Sequence, residues 1–75
     1  MKRLINVVAT FDTEGNIKPN RIIWDDFLTF EIDSITDIRR AASLKAGGTG
    51  IRYTCRIHGQ TKYIFLDNGV WFVNI

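Results

Sequence analysis

The dipeptide Asn68-Gly69 separates two runs rich in apolar and aromatic residues, 62–67 and 70–75. Both residue types tolerate positive φ, which a tight two-residue turn needs, so this is the strongest short-range hairpin signal in the chain. A reversal here forces antiparallel pairing of its flanks and decides which side chains share a face. Gly59-Gln60, with glycine first, reads as a second two-residue turn, joining 51–58 to 62–67. With both turns in place, His58 is expected opposite Thr61, Arg56 opposite Tyr63, Thr54 opposite Phe65 and Arg52 opposite Asp67. In the second hairpin Leu66 is expected opposite Trp71, Ile64 opposite Val73, Phe65 opposite Phe72 and Tyr63 opposite Asn74. Side chains alternate along a strand. One face therefore collects Ile51, Tyr53, Cys55, Ile57, Ile64, Leu66, Trp71 and Val73, the expected core. The other collects Arg52, Thr54, Arg56, His58, Tyr63, Phe65, Asp67 and Phe72, an unusual mixture of arginine and aromatic side chains.

The rest of the chain leans the same way. Eleven Ile and four Val outnumber four Leu and four Ala, and β-branched side chains favour the pleated sheet. Turn-forming clusters at 12–16, 25–26 and 47–50 complete the punctuation. Strands are expected over residues 3–11, 21–24, 27–39, 51–58, 62–67 and 70–75, with Pro19 marking an edge strand or preceding its start. Residues 34–46 carry a competing helical signal: Ser34 and Asp37 can form a capping box, Ile35, Ile38 and Ala42 fall at helical spacing, and Gly47 can close the helix. The alternation of Phe30 and Ile32 running into this segment favours a strand to about Arg39, followed by a helical turn near 41–46. The expected fold is all-β: one domain over residues 1–75, a small SH3-like barrel of five or six antiparallel strands.

Seventy-five residues bury only about 60% of the surface the unfolded chain exposes, so most large apolar side chains must be inside and a deep substrate cavity is not expected. The net charge of +2 permits a nucleic-acid partner without demanding one. No apolar run approaches the roughly 20 residues of a membrane span. The opening Met1-Lys2-Arg3-Leu4-Ile5 begins like a signal peptide, but Asn6, Thr10 and Asp12 interrupt it, so it reads as a strand. The lone Cys55 excludes an internal disulfide and suits a reducing cytoplasm.

No metal or cofactor is expected. Cys55 and His58 lie three apart and point to opposite faces of a strand, and no further Cys or His completes a tetrahedral site. The same parity defeats a Cys–His nucleophile, and neither Asp25-Asp26 nor Asp12 with Glu14 forms a carboxylate pair across a cleft. An enzyme is not expected.

Two candidate surfaces remain. The Arg52, Arg56, Tyr63, Phe65, Phe72 face can be covered by a curling sheet, serve as a partner or homodimer interface, or stack the bases of single-stranded nucleic acid. Arg39, Arg40 and Lys45, beside the glycine-rich loop 47–50, can hold an anion or simply form a solvated loop; no Gly-Lys-Ser/Thr follows, so this is not a P-loop. The expected function is a small non-catalytic binding module for nucleic acid or a DNA-processing enzyme; the alternative is a protein-interaction or homodimerisation module.

The stretch Arg39-Arg40-Ala41-Ala42-Ser43-Leu44-Lys45-Ala46-Gly47-Gly48-Thr49-Gly50-Ile51-Arg52-Tyr53-Thr54-Cys55-Arg56-Ile57, with Ile17-Lys18-Pro19, Ile22-Ile23-Trp24 and Val70-Trp71-Phe72-Val73, resembles a group of short Firmicute proteins over nearly the whole chain. That resemblance implies no particular activity. The order Ile-Trp, Phe-x-Ile-x-x-Ile, Arg-Tyr, Trp-Phe is also similar to small β-barrel domains that accompany Y-family DNA polymerases, which implies an accessory role in DNA processing.

Overall fold

The computed structural model describes residues 1–40 and 50–75. Among them the chain is all-β, in eight strands: β1 (Lys2–Leu4), β2 (Asn6–Phe11), β3 (Ile17–Asp25), β4 (Leu28–Glu31), β5 (Ser34–Arg40), β6 (Ile51–Ile57), β7 (Gln60–Asp67) and β8 (Val70–Asn74). They form two antiparallel sheets, one of five strands in the order β1-β8-β7-β6-β5 and one of three in the order β2-β3-β4. The sheets do not close into the expected barrel of five or six strands.

The extra strands arise because two expected strands each break and change sheet. The run 3–11 divides at Ile5: β1 pairs with β8, whereas β2 pairs with β3. Ile5 is buried at the corner, and its N–H donates to the Trp71 carbonyl at 3.1 Å. The run 27–39 divides at Ile32-Asp33, whose N–H groups donate to the Asn20 carbonyl (3.0 Å) and the Arg56 carbonyl (2.8 Å). Each corner thus keeps its backbone donors paired while the chain passes between sheets. β3 is longer than the expected 21–24 and includes Pro19. That residue pairs with Ala9 beside a bulge, outside the stretch that β4 covers, so its missing N–H breaks no ladder on the β4 side.

Residues 34–40 are strand, so the capping box at Ser34 and Asp37 does not form a helix. A bulge between Ile35 and Asp37 shifts the β5–β6 register. The expected helical turn near 41–46 lies outside the described residues.

The core lies between the sheets. Tyr53, Cys55, Ile57, Ile64 and Leu66 from the large sheet meet Ile22 from the small one and Ile5 from the corner, with Trp24, Phe30, Trp71 and Val73 packed around them. Two polar contacts tie the sheets together at this seam. The Tyr53 hydroxyl donates to the Ile17 carbonyl at 2.6 Å. Arg3 lays its guanidinium 3.6 Å from the centre of the Trp24 ring and donates to the Trp24 carbonyl at 3.0 Å. A buried aromatic hydroxyl needs such a partner.

The C-terminal meander keeps its expected faces but not its expected first turn. Asn68-Gly69 is a two-residue turn, with Phe65 opposite Phe72 and Leu66 opposite Trp71. The other reversal is at His58-Gly59, not Gly59-Gln60. Arg56 therefore faces Thr61, Thr54 faces Tyr63 and Arg52 faces Phe65. Each partner is displaced by two residues. An even displacement leaves side-chain parity unchanged, so the core face and the mixed face survive.

Candidate partner-binding site

The outer face of the large sheet brings together most of the residues singled out by the sequence. Arg52 pairs with Phe65 on β7 and with Arg39 on β5, Thr54 with Tyr63, and Phe65 with Phe72. Arg39, Arg52, Arg56, Tyr63, Phe65 and Phe72 therefore share one side. Arg40 is opposite Ile51 and belongs to the other side, so it does not join them. Lys45 lies outside the described residues, as does most of the glycine-rich loop, and the anion-binding expectation for it goes with them.

Much of this face is engaged with itself. Phe72 is only 3% exposed: its ring stacks on Phe65 at 5.2 Å, and the Lys2 ammonium sits 4.3 Å from its centre. Arg39 Nε holds Asp37 Oδ2 at 2.7 Å. Arg56 folds back over the turn, donating to the Gly59 carbonyl (2.7 Å) and Thr61 Oγ1 (3.0 Å). The expected Arg52–Asp67 pair is not present among the described residues, since the register puts Phe65 opposite Arg52. Arg52 instead approaches the ring of Tyr63, at 5.2 Å. Tyr63 is the aromatic of this face that stays open, at 50% exposure.

Beside Tyr63 lies a feature that the sequence reading missed. β7 and β8 are paired only from Phe65 to Asp67 on the β7 side, and beyond Phe72 the two strands part. β8 follows β1 instead, with Val73 opposite Arg3 and Asn74 opposite Lys2, while Arg3 is held against Trp24 of the small sheet. The parting opens a cleft of about 710 Å³, within the 300–1,000 Å³ usual for ligand sites. Trp24, Phe30, Ile57, Ile64 and Val73 form its apolar walls, with Lys62, Tyr63 and Asn74 among its polar lining residues.

Ladder geometry shows what the parting leaves open. In a two-residue hairpin the closing pair, here Ile57 and Gln60, exchanges both backbone hydrogen bonds, and bonded pairs then alternate. Gln60, Lys62 and Ile64 thus aim their backbone groups at β6, and Thr61, Tyr63 and Phe65 aim theirs at β8. Phe65 meets Phe72, but among the described residues Thr61 and Tyr63 meet no strand. On β8, Trp71 and Ile75 bond toward β1, through Ile5 N–H to Trp71 and Ile75 N–H to Met1 (3.1 and 2.7 Å). Asn74 therefore faces the gap from the opposite bank.

Two titratable residues, Cys55 and Tyr53, lie in the core. Burial pushes the Cys55 thiol up to about 11, and the Tyr53 hydroxyl is raised by burial and then by the neighbouring Cys55. Cys55 is wholly buried in β6, whereas His58 is exposed and lies beyond the end of that strand, in the turn. Among the described residues no three His, Cys, Asp or Glu side chains come together as metal ligands. No family model, no curated protein and no solved structure matches this chain.

Proposed function

We propose that this chain is a non-catalytic binding module whose partner is another protein, met at the cleft between β7 and β8 and at the exposed Tyr63 on its lip. One observation carries this reading: an apolar cleft lies directly beside a strand edge whose backbone groups at Thr61 and Tyr63 have no ladder partner among the described residues. Apolar walls with an amphipathic aromatic at the rim suit a protein side chain. The two bent sheets are then an opened relative of the small SH3-like barrel, with the opening as the binding site.

The test is selection of random displayed peptides on the immobilised full chain, followed by amide chemical-shift mapping. Binders should perturb Tyr63, Ile64, Val73 and Asn74, and Tyr63→Ala should weaken them at least several-fold. Failure to select any binder that maps to these residues sinks the reading.

A second reading has its own observation: Arg52, Arg56 and the open ring of Tyr63 share one face, as a site for single-stranded nucleic acid in an accessory of a DNA-processing enzyme requires. With Phe72 covered and Phe65 stacked on it, that platform offers little ring surface. Titration with oligo-dT at about 50 mM salt, where phosphate contacts are strongest, decides it. Binding that vanishes in the double variant Arg56→Ala/Tyr63→Ala would favour nucleic acid over protein.

A further inference from the structure

Building on the protein-partner reading above, we propose that the gap between β7 and β8 takes an extended segment of the partner as an added β-strand, with acidic and apolar side chains alternating along it. Three observations converge on this occupant. Thr61 and Tyr63 point their N–H and C=O groups into the gap with no strand opposite among the described residues, which calls for a backbone that supplies the complementary row. A strand lying there presents alternate residues to opposite sides. One set enters the apolar cleft against Trp24, Ile64 and Val73, while the other lies over Tyr63 and Arg56 on the outer face. The charge follows from the outer face: Arg52 and Arg56 lie on the side of Tyr63 where that second set falls, and no Asp or Glu lines the cleft among the described residues.

The other long edge of the large sheet shows how such an edge is otherwise blunted. β5 carries a bulge between Ile35 and Asp37 and the charged residues Asp37, Arg39 and Arg40. Bulges and charges protect edges from strand addition. The gap edge of β7 carries Thr61 and Tyr63 without a bulge, and the β6–β7 register runs unbroken behind it.

The experiment uses the full chain and a blocked seven-residue peptide alternating glutamate with valine, with a glutamate-to-lysine version as control. Strand addition should slow amide exchange at Thr61 and Tyr63, and the lysine version should bind at least tenfold more weakly. Thr61→Pro removes a backbone N–H that faces the gap, a position where an edge strand tolerates proline. It should keep the melting temperature within a few degrees and lower affinity at least tenfold, whereas Thr61→Ser, which keeps both the N–H and the hydroxyl that Arg56 uses, should bind like the parent. Arg56→Gln, which removes a cation from the outer face, should weaken the acidic peptide several-fold. Unchanged binding by folded Thr61→Pro, or amide exchange at Thr61 and Tyr63 that the peptide does not slow, overturns strand addition while leaving a protein-binding cleft intact. Equal binding of the lysine peptide overturns the acidic assignment. A dimer in sedimentation that Thr61→Pro dissolves puts a second copy of this chain in the gap and overturns the assigned occupant. If selection from random peptides yields nothing at the cleft, the proposed function falls as well.

Discussion

The two reversals that bracket β7 have nearly the same backbone and the same glycine but differ in the residue before it. His58 and Gly59 take φ of 50° and 74°; Asn68 and Gly69 take 51° and 75°. Positive φ at both central positions marks the hairpin turn whose twist matches the strands it joins. Asparagine and glycine adopt it on their own. Histidine enters the left-handed region more readily than most residues, but far less readily than glycine. The first turn has outside support: the His58 N–H donates to Asp33 Oδ2 at 3.2 Å, and the Phe30 ring and the imidazole lie nearly perpendicular with centres 6.1 Å apart. One turn is thus built from local preference and the other is held by the β4–β5 corner. The difference teaches why the second was readable in advance and the first was not.

Both turns set side-chain parity along β7. The largest expected effect tests that parity. Ile64→Ala, in the fully buried row, should cost about 2–5 kcal/mol in denaturant unfolding. Its neighbour Tyr63→Ala, on the half-open face, should cost under about 1 kcal/mol. Similar costs at both positions would mean that the face assignment is wrong.

The next effect reads the buried side of β6 by pH. A thiol whose folded pKa is raised from 9.0 to about 11 favours the proton-bound native state. Its contribution is complete below pH 9 and is lost as pH rises from 9 to 11, at a cost of about 2 kcal/mol. The raised Tyr53 hydroxyl adds loss of the same sign above pH 10. Cys55→Ala should flatten the slope between pH 9 and 10, and a slope unchanged by that substitution would remove Cys55 as its cause.

The turns themselves come third. Gly59→Ala and Gly69→Ala both force a side chain into positive φ with open space around the new Cβ. Each should therefore cost about 1 kcal/mol from backbone conformation alone. Clearly unequal losses would break the equivalence of the two turns. The smallest effect sharpens it: His58→Asn should gain about 0.5 kcal/mol if intrinsic preference outweighs the Phe30 contact. A loss would show that the imidazole contact is what holds that turn.

How far the site was legible follows from the same distinction. The row Tyr53, Cys55, Ile57, Ile64 and Leu66 was readable because its signal, a period of two, survives any even slip in pairing. Arg52, Arg56 and Tyr63 were placed on one face for the same reason, although every one of their cross-strand partners was misassigned. Arg40 fell on the wrong side because the β5–β6 register brings it opposite Ile51, and nothing around Arg39-Arg40 announces this. The covering of Phe72 depended on Phe65 and on Lys2 from the other end of the chain.

The amino-acid order by itself determined that the chain would be sheet, where its Asn-Gly reversal would be, and which residues of the meander would face inward. These depend on neighbours one to three positions away, and short-range stereochemistry decides them. Tertiary structure alone decided the corners at Ile5 and Ile32-Asp33, the two-sheet layout and the cleft between β7 and β8. At each of these places the chain looks locally like continuing strand, and the outcome rests on which distant backbone offers a partner. Trp71 receives the Ile5 N–H, Arg56 receives that of Asp33, and β1 draws the end of β8 away from β7.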